Sequence, residues 1–259
     1  MPSLTVIIIT KNEEKLIQQC LESVKWADEI IVLDSGSTDK TVEIAKKYTS
    51  HVYITDWPGY GIQKQRALSY ATGDWILNVD ADEEVTEPLK NRLLQVMQES
   101  LSKQIDACRI PIALMFYEKM MKYSWRPKRH IRFFKRLNAA YNQNIVHEHL
   151  FLPPDSQIIQ LHEPIRHYCF RDLNHALYKL NRYSSYTAKM RLQEGRTCGL
   201  SRAIANSSWM FFRCYFMQLG FLDGKPGLLL AILSAEGSFY RSIKQLYHED
   251  ALDDLPSIK

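Results

Sequence analysis

Residues 75–83 read Trp75-Ile76-Leu77-Asn78-Val79-Asp80-Ala81-Asp82-Glu83, an apolar run that ends in Asp-x-Asp and is followed by Glu84. The run predicts a buried strand. Carboxylates crowded at a strand end repel one another unless a cation sits among them, and hard oxygen ligands of this kind suit Mg²⁺ or Mn²⁺. Such a cation would bridge a diphosphate. The competing reading is a solvated acidic turn that caps the next helix, and the sequence on either side decides between the two.

Working outward, short β-branched runs alternate with helical patterns. Strands are predicted at Leu4–Thr10, Glu29–Leu33, Val52–Thr55 and Trp75–Val79, and helices at Glu13–Val24, Thr38–Tyr48, Gly61–Ala71 and Glu87–Ser100. That alternation is the signature of a parallel sheet covered by helices. The carboxyl ends of the strands carry polar residues, namely Thr10-Lys11-Asn12-Glu13, Asp34-Ser35-Gly36-Ser37 and Asp80-Ala81-Asp82, and in open α/β sheets ligands bind at that edge. Asp34 is placed to accept hydrogen bonds from a nucleoside, and Gly36 permits close backbone approach. Ser37, Thr38 and Asp39 read as helix caps. Lys64 and Arg66, two residues apart, do not share a helix face, and Lys64 is the one expected to reach the ligand.

After about residue 105 the alternation stops. Ala107–Ile112 and Ile131–Phe134 read as strands around a loop, Tyr117–Arg129. From Leu173 the pattern is helical, at Leu173–Glu194, Leu200–Leu219 and Gly227–Tyr247, with a break marked by Gly220 and Asp223-Gly224-Lys225-Pro226-Gly227. The expected division is residues 1–170 as an α/β catalytic domain and 171–259 as a helical C-terminal region. Charge divides along the same line: residues 1–100 hold 10 basic and 16 acidic side chains, residues 101–259 hold 23 and 13. An acidic front suits a cation, and a basic back suits an anionic partner.

With 259 residues, 46% apolar and 24% charged, the chain is neither a disordered tail nor a disulfide mini-scaffold. Five scattered cysteines without a C-x-x-C indicate neither a disulfide framework nor a zinc site, and fit a reducing, cytoplasmic setting. No run of eighteen uncharged apolar residues exists, so a spanning helix is not expected.

The segments TVIIITKNEE, IIVLDSGSTDKT and GIQKQRALSYATGDWILNVDADEE, in this order over residues 1–90, resemble family 2 glycosyltransferases of the GT-A fold. The segment Trp125–Arg136 with Asn144-Ile145-Val146-His147-Glu148, and the closing GFLDGKPGLLLAILSAEGSFYRSIK, are similar to the subgroup that builds the lipopolysaccharide inner core as β-1,4-glucosyltransferases. The resemblance implies a UDP-sugar donor, UDP-glucose in that subgroup, a phosphorylated glycolipid acceptor, and Mg²⁺ or Mn²⁺. It implies that Thr10 and Glu13 line the nucleoside pocket with Asn12 and Ser35 beside them, that Asp34 meets the base, that Asp80 with Ala81 meets the ribose, and that Asp82 holds the metal.

For an inverting transfer Glu148 is the expected base, because residues 119–147 contain no Asp or Glu and positive neighbours favour its ionised form. An ion pair with Arg129 or Arg132 is the alternative. His147 is either a further metal ligand or a loop histidine. Arg129 and Arg132 either reach a phosphate through guanidinium geometry or solvate a strand edge. Residues 119–136 hold eight Lys and Arg among Tyr123, Trp125, Phe133 and Phe134; no nucleic-acid-binding motif accompanies them, so no nucleic acid is expected and a phosphorylated lipid fits better. The aromatic helix Arg202–Leu222 is either core or membrane interface, which makes peripheral contact with the cytoplasmic face of the inner membrane the expected location. Alternatives are transfer to another envelope glycan or a polyprenyl-phosphate lipid, and a non-catalytic nucleotide-sugar-binding scaffold.

Overall fold

The computed structural model describes residues 2–142, 149–170 and 172–247. They fall into two compact units: residues up to Ala113 together with Lys128–His167, and Leu114–Pro127 together with the residues from Tyr168 onward.

The first unit is built on β1 (Leu4–Thr10), buried along its whole length. A continuous Val/Ile run requires cover on both faces, and the period of two supplies it. Leu4, Val6 and Ile8 pack with Ile17, Leu21 and Val24 of α1 (Ile17–Val24), while Ile7 and Ile9 pack with Ala67 and Leu68 of α3 (Tyr60–Tyr70). β2 (Glu29–Asp34), β3 (Val52–Ile54) and β4 (Trp75–Asp80) join β1 in parallel. α4 (Glu87–Glu99) adds Leu89, Leu93 and Val96 to the α1 side.

Beyond β4 the sheet continues with β8 (Lys128–Lys135), antiparallel both to β4 and to β6 (Ala107–Phe116), and then with β12 (Ile165–His167) and β5 (Glu83–Val85). The order is β3-β2-β1-β4-β8-β6-β12-β5, with β11 (Ile158–Gln160) parallel to β6. A hairpin, β9 (Ala140–Tyr141) with β10 (Leu150–Phe151), stands apart from the sheet.

Two helices of this first unit are shorter than their sequence patterns. α1 begins at Ile17 rather than Glu13, since the amides of Asn12, Glu13 and Glu14 are taken by the side chains of Ser37, Thr41 and Asp39. α2 covers only Thr41–Ala45, with Asp39 accepting from the Thr41 amide at its start. The basic-aromatic run 119–136 is not one patch. Phe133 and Phe134 are fully buried, Phe133 stacking on Trp75 at 4.5 Å, Lys135 pairs with Asp106 at 3.0 Å, and the run divides between the two units.

In the second unit β7 (Lys119–Met120) pairs with Met115 and Phe116 at the end of β6. α7 (Lys225–Leu246) packs on α5 (Leu173–Gln193) and α6 (Leu200–Phe212), around a core that includes Leu114, Phe116, Met121, Leu230 and Leu233. Between α6 and α7 lie a π-helical turn, Arg213–Met217, and a 3-10 turn, Gly220–Asp223. The turn closes so tightly that a Cβ on Gly227 would stand 2.0 Å from the Gly220 carbonyl oxygen. Among the described residues no helix is long and apolar enough to cross a membrane.

Candidate active site

The parallel register brings three strand ends to one edge: Thr10 pairs with Asp34, and Ile9 with Asp80. The Ser35 amide donates to the Thr10 carbonyl at 2.9 Å, and the buried Gln63 of α3 donates to the Ser35 hydroxyl at 2.9 Å, so α3 is tied to the end of β2. The Thr10 hydroxyl is buried and has no hydrogen-bond partner among the described residues.

Asp34 turns inward. It is fully buried, one carboxylate oxygen accepts from the amides of Gly36 (2.9 Å) and Ser37 (2.8 Å), and the other accepts from the Ser37 hydroxyl. Gly36 sits at φ +77°, the left-handed conformation this turn requires, with open space around its Cα. Asn12, exposed and also left-handed (φ 55°), accepts from the Thr38 amide at 2.8 Å. Glu13, half-buried, gives its carbonyl to the Leu16 and Ile17 amides. Ala81 is buried behind the acidic turn.

The centre of the edge is a charge cluster. Arg132, on the interior strand β8, donates through Nη2 to Asp80 (2.7 Å) and Glu83 (3.0 Å), and Lys64 stands 3.5 Å from the other Asp80 oxygen. Arg132 therefore does not solvate a strand edge; among the described residues its ion-pair partners are Asp80 and Glu83. Its Nη1 is buried with no partner among the described residues. Lys64 is buried beside Asp80, whereas Arg66 pairs with Asp56 at 2.6 Å. Arg129, by contrast, is exposed and donates to the Leu161 carbonyl at 3.3 Å.

One step along, antiparallel pairing of β5 with β12 sets His167 opposite Glu83, and the His167 Nε2 lies 3.1 Å from Asp82 Oδ2. In the same register Arg166 pairs with Glu84 at 3.1 Å. Asp82 and His167 keep 21% and 31% of their side chains exposed, so both meet solvent.

Electrostatics separates these acids into roles. Burial pushes the Asp80 carboxyl up, but the Arg132 and Lys64 charges outweigh it and hold Asp80 well below the usual carboxylate range. Burial raises Glu83 to about 7, with the Asp80 charge adding to it and Arg132 opposing. Burial works against a charged His167, yet the hydrogen bond to Asp82 and the surrounding carboxylates raise it to about 9. Of this solvent-reached pair, His167 is thus held as the imidazolium beside Asp82.

Residues 5–152 match Glycosyl transferase family 2. The chain belongs to this family. Its sheet, mostly parallel and flanked by helices, with a helical region after it, is of the GT-A type. Among similar proteins, an uncharacterised glycosyltransferase of Rickettsia conorii is 30% identical over 250 residues, 93% of this chain and 89% of that one. The lipopolysaccharide core biosynthesis glycosyltransferase LpsC of Rhizobium meliloti is 27% identical over 98% of this chain and 96% of its own length. A crystal structure of glucosyl-3-phosphoglycerate synthase from Mycobacterium tuberculosis in complex with Mg²⁺ and UDP is 27% identical over 43% of this chain, with a TM-score of 0.37. The chain spans less than half, 44%, of that solved protein.

Of the residues expected at this glycosyltransferase site, Thr10, Asp34, Ser35, Lys64, Asp80, Ala81, Asp82 and Arg132 stand on the strand ends or on the helix and strand beside them. Glu148 and His147 lie outside the described residues. The described flanks of their segment are Asn142 and His149, whose backbones bond at 3.0 Å, and the hairpin is tied to β4 by Asn78 donating to the Tyr141 hydroxyl at 3.0 Å. The histidine beside Asp82 is His167, for which the sequence offers no local signal: it ends a three-residue strand 85 positions away. Among the described residues no three His, Cys, Asp or Glu side chains form a metal-holding group. Asp82 and His167 still suit Mg²⁺ or Mn²⁺, ions that take one or two protein ligands and complete their shell with water and ligand phosphate oxygens.

Proposed function

We propose that this family 2 glycosyltransferase is a metal-dependent, inverting enzyme that moves glucose from UDP-glucose to a lipid-linked acceptor, the lipopolysaccharide inner core. The observation that carries the reading is the Asp82–His167 pair beside the Arg132-clamped Asp80, at the strand edge where α/β folds bind ligands. The lipopolysaccharide acceptor is supported by the likeness to LpsC along nearly the whole chain.

In this reading Asp82 and His167 hold the divalent cation, His167 as the neutral imidazole. The cation, when bound, supplies positive charge against the departing diphosphate. Asp80 accepts hydrogen bonds from the ribose with its orientation fixed by Arg132 and Lys64, and the turn shaped by Asp34 and Ser35 receives the nucleoside with Thr10, Asn12 and Glu13 beside it. Glu148 takes the proton of the acceptor hydroxyl as that oxygen bonds to the anomeric carbon and the bond from that carbon to UDP breaks. The first unit serves the donor and the second the acceptor or membrane.

The test is UDP release from a panel of nucleotide sugars, with Mg²⁺ or Mn²⁺ and core acceptor. UDP-glucose should be turned over only with metal, and Asp82→Ala should lower turnover at least about 100-fold. Turnover without metal, or full activity in Asp82→Ala, would sink the mechanism.

A further inference from the structure

We propose that the second unit carries a docking surface for an anionic lipid bilayer, formed by the aromatic row of α6 and the turn after it. Trp209, Phe212 and Phe216 are spaced three and four apart and share a helix face. Their rings follow one another at 6.0 and 5.3 Å and are 55%, 47% and 48% exposed. The π-helical turn then sets Tyr215 against Phe216 at 5.1 Å and against Phe221 at 6.2 Å, carrying the row onward past exposed Met217 and Leu222. The sole buried residue of α6 is Ala203. A contiguous aromatic surface of this kind marks an interaction site rather than chance exposure.

Charge selects the occupant. Between Glu194 and Glu236 the only acid is Asp223, which is 1% exposed and whose carboxylate accepts from the amides of Lys122 (3.2 Å), Tyr123 (3.1 Å) and Ser124 (2.6 Å). Arg202, Arg213 and Lys225 are exposed along the same stretch. That carboxylate also fastens to this unit the segment bearing exposed Lys119, Lys122 and Arg126, with Glu118 as the acid before it. An aromatic face rimmed by cations and lacking an exposed carboxylate in residues 195–235 complements a bilayer, whose boundary accepts Trp and Phe and whose anionic headgroups accept Lys and Arg. A second copy of the chain would set one cationic rim against another.

The surface gives the lipid-acceptor reading a means of reaching its substrate and rests on that reading for its purpose alone. Binding is therefore measured on the full chain without donor or acceptor, by co-sedimentation with vesicles of phosphatidylglycerol and phosphatidylcholine, against phosphatidylcholine alone. The protein should bind the anionic vesicles, less so as salt rises. The variant Trp209→Ser/Phe212→Ser/Phe216→Ser should lower partitioning by more than about tenfold with its circular dichroism unchanged. Arg202→Ser/Arg213→Ser, which leaves the aromatic row intact, should lower it about fivefold per cation removed. Absence of binding to anionic vesicles, or binding that both variants leave intact, overturns the inference. So does a concentration-dependent dimer that the aromatic variant abolishes while vesicles are ignored. UDP release persisting in these outcomes would leave the transferase reading standing.

Discussion

Arg132 holds together groups that would otherwise repel. Its Nη2 is shared between Asp80 and Glu83, both at the carboxyl end of β4 and its turn, and it remains charged because the two carboxylates outweigh its burial. Removing a buried partner leaves its counterions uncompensated, at about 3–5 kcal/mol. Arg132→Met is expected to lose stability of that order in urea unfolding near neutral pH, and Arg132→Met/Glu83→Gln to recover part of it by deleting one stranded acid. A double variant no more stable than the single would show that Glu83 is not held by this pair. Lysine should not substitute well, since one ammonium does not reproduce the planar guanidinium. Its place on an interior strand, next to the Phe133 that pairs with Leu77, points it at the protein's own acids.

At the scale of elements, long signals were legible and, β3 apart, the three-residue strands were not. β1 declares itself by an unbroken Val/Ile run, and α4 by apolar residues at helical spacing behind Thr86. β5 and β12 are three residues each, below the length at which periodicity means anything, and their pairing is what delivers His167 to Asp82. Thr86 links the two kinds of element. Its hydroxyl oxygen accepts from the Leu89 amide at 3.3 Å as the cap of α4, and its hydroxyl donates to the Pro164 carbonyl at 3.1 Å, immediately before β12. Thr86→Ala is expected to cost about 1–2 kcal/mol, with Thr86→Ser restoring most of it. Because the second bond steadies the strand that carries His167, amide exchange at Arg166 and His167 should accelerate in Thr86→Ala more than exchange in β1. Equal acceleration in both strands would mean that only global stability had changed.

Across the whole molecule, several acids of the acidic first hundred residues, joined by Asp106, stand at opposite edges of one sheet. Asp34, Asp80 and Asp82 lie at the carboxyl edge. At the other edge Glu29 accepts from the Thr5 hydroxyl and the Thr72 amide, Asp74 from the Ser3 amide and hydroxyl, and Asp106 from Lys135 and the Gln157 amide. Composition showed the excess but not this division, which depends on where each acid falls relative to the direction of its strand. Groups at the two edges differ in titration: Asp80 is lowered with the amino-edge acids, whereas its neighbours Glu83 and His167 are raised. Burial opposes ionisation of Glu29 and Asp106, but hydrogen bonds win, and Asp74 is lowered chiefly by its Ser3 bonds; all three lie below their ordinary values of 4.5, 3.8 and 3.8. Stability from these groups is present above those values and is lost as pH falls through the lowered ones. Glu83, raised to about 7, favours the folded state in its neutral form and gives up that contribution between 4.5 and about 7. His167, raised to about 9 from 6.5, stabilises the fold as imidazolium and loses that contribution as pH climbs through 6.5 to about 9. With chelator present, the first unit should therefore unfold at its highest temperature near about pH 5 and decline on both sides. Glu29→Gln/Asp106→Asn should lower the midpoint at pH 5 and flatten the acid limb while leaving the alkaline limb in place. An acid limb equally steep in that variant would show that the amino-edge carboxylates do not hold the sheet.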